Sequence, residues 1–287
     1  MLTKLKNGLN STQLKTIALV LMVLDHIHYF FGFTGMVPEA FSMAARLSAP
    51  LFLFCTVEGF AHTHDRKRYF LRIWAIGAGM AAVEFLMMYG GWLRRGDGFY
   101  PLNAIFQDFV LLCIVWQGMD WIGEKKFVKG TAAILAVVGW PFAVAAFLSA
   151  FPQIQQMPRV STAVAFVITS PLPLWSNITD GGWAYLVGGV VLYALRDRRR
   201  LQVAAWSVVT FLSEFVLVYL QACGLPDFFW TQMFTAYYEW YGVFAALLML
   251  LYNGQRGSGH KRLFYWFYPA HVYILYGASC LLYNGMR

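Results

Sequence analysis

This sequence predicts an all-α polytopic membrane protein of about nine to ten transmembrane helices around a central polar cavity, on three observations. Of its 287 residues 59% are hydrophobic and only 13% charged, whereas soluble domains carry about 25% charged residues. The apolar residues come in runs of the roughly 20 residues that a helix needs to cross the hydrocarbon core. The basic residues, which give a net charge of +8, gather in short clusters between those runs. That is the pattern the positive-inside rule expects of loops on the cytosolic side.

In order, the apolar runs are 14–33, 41–62, 69–91, 101–119, 128–150, 182–196, 201–223, 236–252 and 263–283. The stretch 159–176 is apolar too, but "SPLPLW" at 170–175 interrupts it. Each proline there lacks an amide donor and disfavours helix in the residue before it. The basic clusters are the N-terminus, "HDRKR" at 64–68, "EKK" at 124–126 with Lys129, "RDRRR" at 196–200, and Arg256 with Lys261 and Arg262. Placing all of them in the cytosol requires an even number of crossings between each pair, so 128–200 crosses twice. Segment 159–176 is then either re-entrant or paired with a short partner, giving nine crossings plus one partial helix, with ten as the alternative. The expected organisation is one transmembrane domain over 1–287, with no repeat, no soluble domain and a cytosolic N-terminus. The first run lacks a small-residue cleavage site and reads as a retained helix.

Several classes are disfavoured. The four cysteines, Cys55, Cys113, Cys223 and Cys280, stand singly in apolar segments with no ligand spacing, so neither a metal site nor a disulfide framework is indicated. No basic-aromatic module for nucleic acid is present.

The chemistry lies in ionisable groups inside apolar runs. "LVLMVLDHIHYFFGF" (19–33) carries Asp25, His26 and His28, and charged groups at such depth cost roughly 2.5–3.5 kcal/mol each on insertion scales unless they face a cavity or a partner. A helix rises about 1.5 Å per residue, which puts Asp25 and His26 roughly 15 Å into the first helix and His271 about 14 Å into the last, the same level. Arg46 and Glu84 fall at comparable outer depths and form a candidate ion pair. Asp25 and His28 share a helix face, so Asp25 is expected to pair with His28 or with His271, leaving His26 to meet a substrate. A histidine there suits a general base, and a carboxylate suits its orientation. The competing reading is a polar network that only locks helix packing.

Two basic sets border this region. Glu58, His62 and Thr63 precede Arg66, Lys67, Arg68 and Arg72, and "YNGQRGSGHKR" supplies Asn253, Gly254, Arg256, Gly257, Lys261 and Arg262. Glycine-flanked basic residues suit a phosphate-bearing ligand, because backbone N–H groups and guanidinium forks both satisfy phosphate oxygens. "RDRRR" reads as ordinary topology, and "TAYYEWYG" (235–242) as an interfacial aromatic belt. Asp108 and Glu214 carry no assigned role.

Three blocks resemble the TraX-type acetyltransferases, whose founding member acetylates pilin at its N-terminus. "LKTIALVLMVLDHI" resembles the family's opening. "RLSAPLFLFCTVEGFAHT" with "YFLR" resembles its next block, and "YNGQRG" followed by "KRLFYWFYPAHV" its end, with Val272 where leucine is expected. The blocks come in family order from about residue 14 to 276. The resemblance implies an integral enzyme of the bacterial inner membrane that takes acetyl-CoA from the cytosol. It carries motif positions onto Asp25 and His26 in the first block, and onto Arg46, Glu58, His62, Tyr69 and Arg72 in the second. In the last block it reaches Asn253, Arg256, Lys261, Tyr268, Pro269 and His271. Asp25, His26, Arg46 and His271 are then the catalytic candidates. Glu58, His62, Tyr69, Arg72, Asn253, Arg256, Lys261 and Tyr268 are the donor-binding ones.

The expected mechanism has His26, or His271 as second choice, deprotonating an amine or hydroxyl that attacks the acetyl carbonyl directly, with Arg46 or Asn103 stabilising the oxyanion. Direct transfer is preferred to an acyl-enzyme because no serine or cysteine sits beside a histidine in these blocks. The acceptor, a protein N-terminus, a sugar or a lipid, stays open, since 120–235 matches no motif. The alternatives are a proton-coupled transporter, which would use midplane Asp and His residues but lacks an internal repeat, and a non-catalytic scaffold.

Overall fold

A computed structural model describes residues 8–91, 93–102, 105–176, 182–259 and 261–286, with the side chains of all of these except 88, 89, 155, 158, 261 and 262. The protein is all-helical. Among the described residues the only extended pairing is an isolated parallel bridge between Leu9 and Tyr252. In chain order the α-helices longer than four residues are α1 (Ser11–Phe31), α2 (Ala40–Ala45), α3 (Ser48–Ala61), α4 (Arg66–Gly90), α5 (Ile105–Gly123) and α6 (Phe127–Ala150). They continue with α7 (Pro158–Thr169), α8 (Gly182–Ala194), α9 (Arg199–Phe211), α10 (Val218–Ala222), α11 (Ala245–Leu250) and α12 (Lys261–Gly285).

Among the described residues six stretches are long and apolar enough to cross a membrane: Ser11–Thr34, Ala40–Ala61, Arg66–Met87, Ile105–Gly123, Phe127–Ala150 and Arg199–Ala222. Arg159–Thr169, Gly182–Ala194 and Tyr238–Leu250 are shorter apolar helices, and α12 runs for 25 residues with Pro269 inside it. The element boundaries fall within a few residues of the apolar runs.

The chain forms two compact units, one of residues 1–62 and 187–279, the other of 63–186 and 280–287. In the first, α1 packs on α2 and α3, and α9 packs on α11 and on the 3-10 segment Tyr238–Phe244. Leu14, Phe30, Leu51, Leu53 and Phe54 are fully buried there. Helix α1 begins at a capping box: the Asn10 side chain accepts from Gln13 N, and Gln13 Oε1 accepts from Asn10 N. The same end is clipped to the 251–259 loop. Leu9 N donates to Leu251 O, Asn253 N to Leu9 O, and Ser11 N to Gln255 O, at 2.7–2.9 Å. Gly257 adopts φ +75, and a β-carbon there would lie 2.8 Å from Thr12 Oγ1, so glycine is required for the loop to lie against α1.

In the second unit α5 and α6 are in close contact where Gly118 faces Gly130: a β-carbon on Gly118 would stand 2.9 Å from the Gly130 carbonyl. Such small-residue contacts let helices approach where lipid supplies no hydrophobic drive. The proline-broken segment is held by indoles. Trp74 Nε1 donates to Pro171 O at 3.0 Å, Trp140 Nε1 to Leu172 O at 2.7 Å, and Trp175 Nε1 to Val138 O at 3.1 Å. Carbonyls that a broken helix leaves over need partners away from water, and tryptophan supplies a donor on an apolar body.

Candidate functional site

The first unit brings together a pair of histidines, a carboxylate clamp around Arg46, and a buried ion pair at the opposite end of α3. All three are built by helices whose polar residues recur at helical spacing.

His26 sits on the buried face of α1 with Leu14, Ala18, Met22 and Phe30, at i, i+4 spacing. His271 reaches it from α12: His271 Nε2 lies 2.8 Å from His26 Nδ1, and the two rings are 5% and 7% exposed. The other His271 nitrogen, Nδ1, is 2.8 Å from the Phe267 carbonyl one turn back. A carbonyl only accepts, so Nδ1 of His271 carries a proton. In the neutral pair its Nε2 is then an acceptor, and Nδ1 of His26 must donate to it. That leaves Nε2 as the basic nitrogen of His26. Tyr268 stands edge-on to both rings, its centroid 6.3 Å from His26 and 5.6 Å from His271, while Phe30 and Phe267 stack on the two rings.

Asp25 does not pair with His28 or His271. It accepts from the Arg46 guanidinium and, at 3.0 Å, from Ser42 Oγ. Arg46 in turn grips both oxygens of Glu239 at 2.7 and 2.8 Å, and its Nε donates to the Ser42 carbonyl at 3.0 Å. The partners of Arg46 are therefore Asp25 and Glu239, where the sequence reading looked to Glu84. The reason is local: Ser42 and Arg46 are one turn apart beside α1, and the Tyr238–Phe244 segment packs on α2. His28 pairs with Glu39 at 3.2 Å, and Glu39 accepts from the Tyr238 hydroxyl.

At the opposite end of α3, Glu58 is 7% exposed and accepts from Arg199 Nη2 at 3.1 Å. The Arg199 guanidinium lies over the rings of Phe54 (4.6 Å) and Tyr252 (4.9 Å), a cation–π arrangement on two sides. His62, at the end of α3, is exposed, and its Nδ1 meets the Glu58 carbonyl at 3.0 Å. The Asn253 side chain accepts from Gln255 N at 2.9 Å, and the Arg256 carbonyl accepts from Thr12 Oγ1 at 3.0 Å, so the exposed Arg256 side chain projects from an anchored loop.

Tyr69 and Arg72 lie on the first turns of α4 in the second unit, half-buried and exposed respectively. Asn103 and the Lys261 side chain lie outside the described residues. Among the described residues no group of three or more His, Cys, Asp or Glu side chains is placed to hold a metal ion.

Sequence reasoning missed Ser42, Glu39, Tyr238, Glu239 and Arg199. Glu239 was read as part of an aromatic belt, although a carboxylate amid "YYEWY" was itself a signal. Arg199 was absorbed into the "RDRRR" topology run, where nothing in the sequence separates it from its exposed neighbours Arg198 and Arg200.

The model of the TraX protein family matches residues 10–279. The chain is also similar to the "Probable fimbrial assembly protein FimC, serogroup H1" of Dichelobacter nodosus, with 24% identity over 94% of this chain and 96% of that protein. No solved structure matches.

Proposed function

The chain belongs to the TraX family, and from that premise we propose that it is a membrane-embedded acetyltransferase. In this reading acetyl-CoA is the donor and a protein N-terminus of the pilin kind the acceptor. Support for the acceptor comes from a relative named for fimbrial assembly. The observation that carries the enzymatic reading is the buried His26–His271 pair, whose bond to the Phe267 carbonyl points the basic nitrogen of His26 away from its partner.

In the proposed reaction His26 Nε2 takes a proton from the acceptor amine, or from a hydroxyl. The nucleophile adds to the acetyl carbonyl, the C–S bond breaks, and the departing thiolate is protonated from the imidazolium. His271 positions His26. Glu239 is the looser of the two carboxylates on Arg46, with its side chain 57% exposed against 29% for Asp25. Release of Glu239 would leave an Arg46 nitrogen able to stabilise the oxyanion. Phosphates of CoA would meet Arg256 and Arg199 at the basic end.

The proposed topology keeps nine to ten crossings in the bacterial inner membrane. Gly182–Ala194 and Tyr238–Leu250 complete the even crossings between cytosolic clusters, Arg159–Thr169 is the partial helix, and the N-terminus faces the cytosol. The clip between α1 and the 251–259 loop supports this, since it binds two of the basic regions together.

The test is calorimetric binding of acetyl-CoA to the purified protein in detergent, beside Arg256→Ala and His26→Ala, followed by transfer to an acceptor peptide. Binding weakened in Arg256→Ala and kept in His26→Ala, with transfer lost in the latter, is the expected result. A folded wild-type protein that binds no acetyl-CoA would overturn the reading in favour of a proton-coupled carrier.

A further inference from the structure

The buried face of α9 carries polar side chains whose hydrogen-bonding capacity the packing leaves partly unused. Arg199, Gln202, Trp206 and Thr210 fall at i, i+3, i+7 and i+11, within about 80° of one another around a helix. Gln202 is 0% exposed and Trp206 3%. The Gln202 amide donates through Nε2 to the Leu192 carbonyl at 2.6 Å, but its Oε1 has no hydrogen-bond partner among the described residues. Nor do Trp206 Nε1 and Arg199 Nη1. Buried polar atoms are nearly always paired, and leaving one unpaired is costly, so three on one helix face point to a ligand.

The geometry gives the stripe a direction. The six-membered ring of Trp206 lies against Gly188, where a β-carbon would strike it, which turns the Nε1 edge away from α8. One end of the stripe is Arg199 in the Glu58 ion pair. The other, Thr210, lies at the level of the Arg46 clamp: a β-carbon on Gly242 would stand 3.4 Å from the Arg46 carbonyl and 3.8 Å from Thr210 Cγ2. From Arg199 to Thr210 the helix rises about 16 Å. The π-helical segment Leu212–Leu217 follows at once, a distortion that recurs at functional sites.

We infer that this face guides the phosphopantetheine arm of the thioester donor, with its phosphate at Arg199, an amide N–H donating to Gln202 Oε1 and an amide carbonyl accepting from Trp206 Nε1. The inference rests on the thioester-donor reading above. The arm is chemically matched: a phosphate at one end, two amides along its length, and a sulfur at the other. Its backbone of about thirteen bonds extends roughly 15 Å by analogy with extended peptide, the distance from Arg199 to the Arg46 level. The same arm occurs on CoA and on acyl carrier proteins.

The test compares Gln202→Met and Trp206→Phe with the wild type for binding of four ligands: acetyl-CoA, acetyl-phosphopantetheine, an acetylated acyl carrier protein, and adenosine 3′,5′-bisphosphate, which lacks the arm. Each variant should bind the arm-bearing thioesters several-fold more weakly, the range that one hydrogen bond supplies. Binding of the bisphosphate should be unchanged, a result that mere structural damage would not give. Whichever of CoA and the carrier protein binds more tightly to the wild type identifies the source of the arm. Undiminished thioester binding in both variants, or equal losses for the bisphosphate, would overturn the inference and leave the donor reading standing. Failure of the wild type to bind any thioester would sink the donor reading itself.

Discussion

His271 Nε2 meets His26 Nδ1 at 2.8 Å inside the first unit, while His271 Nδ1 is committed to the Phe267 carbonyl. The two histidines are therefore not interchangeable. Removing the base in His26→Ala should lower acetyl transfer by about 10²–10⁴-fold, the usual contribution of a positioned base. His271→Gln keeps an acceptor that can hold the His26 tautomer, so it should retain far more activity than His271→Leu. Steady-state transfer rates decide between the roles: if His271 were the base, Gln and Leu would fail alike.

Much of this was legible. The apolar runs placed most of the helices to within a few residues, because crossing length and turn chemistry are local properties. "SPLPLW" was read correctly as a break, since proline acts on its own neighbours. The pairing of polar groups was not legible. Asp25 lies one turn from His28 on α1, yet it bonds to Arg46 and Ser42, and Glu39 takes His28 instead. Which carboxylate meets which cation depends on the loops that set α2 and Tyr238–Phe244 beside α1, and no spacing rule encodes that. Arg199 shows the same limit, since five charged residues in a row look equivalent until one of them turns inward.

The Arg46 clamp should respond unequally to loss of its two carboxylates. Asp25→Ala leaves a half-buried guanidinium short of its inner partner and should cost about 1–3 kcal/mol, less than the 3–5 kcal/mol typical of a fully buried pair. Glu239→Gln touches an exposed partner and should cost below about 1 kcal/mol. Thermal melts in one detergent compare them, and equal losses would show that the Glu239 contact is not the looser one.

Arg199 should separate from the run that contains it. Its guanidinium is paired with a buried carboxylate between two rings, whereas Arg198 and Arg200 are exposed. Arg199→Ala should therefore weaken acetyl-CoA binding by about tenfold or more, as loss of a charge-assisted contact does. Arg198→Ala and Arg200→Ala should change it less than about twofold. Equal effects across the three would return Arg199 to plain topology.

The loop before α5 offers a pH prediction outside the membrane-spanning segments. Arg95 is 6% exposed, bonds both oxygens of Asp97 at 2.8–3.1 Å, and lies over the Phe99 ring at 3.9 Å. Hydrogen bonding from Arg95, more than any other cause, holds the Asp97 carboxyl below its usual range. A lowered folded value stabilises the fold above the unfolded pKa of about 3.9, and the contribution is lost as pH falls through the folded value. The stability difference between wild type and Asp97→Asn should thus be constant from neutral pH down to about pH 5 and shrink below about pH 4. A difference that persisted undiminished at lower pH would mean the carboxylate charge is not what Arg95 recognises.

Ser42 makes the preference for direct transfer testable. Its hydroxyl donates to Asp25 and accepts from Arg46 at 2.9 Å, which superficially resembles an activated nucleophile. The resemblance fails on chemistry. Asp25 is already tied to the Arg46 guanidinium, and the histidines of the buried pair are bonded to each other and to the Phe267 carbonyl rather than to Ser42. Among the described residues no histidine is bonded to the Ser42 hydroxyl to drive acyl transfer there. Incubation with acetyl-CoA in the absence of acceptor should leave the intact mass of the protein unchanged, and Ser42→Ala should keep transfer within about threefold while lowering stability through the lost hydrogen bond. An added acetyl mass that maps to Ser42 and chases into product when acceptor is supplied would replace direct transfer with a two-step route.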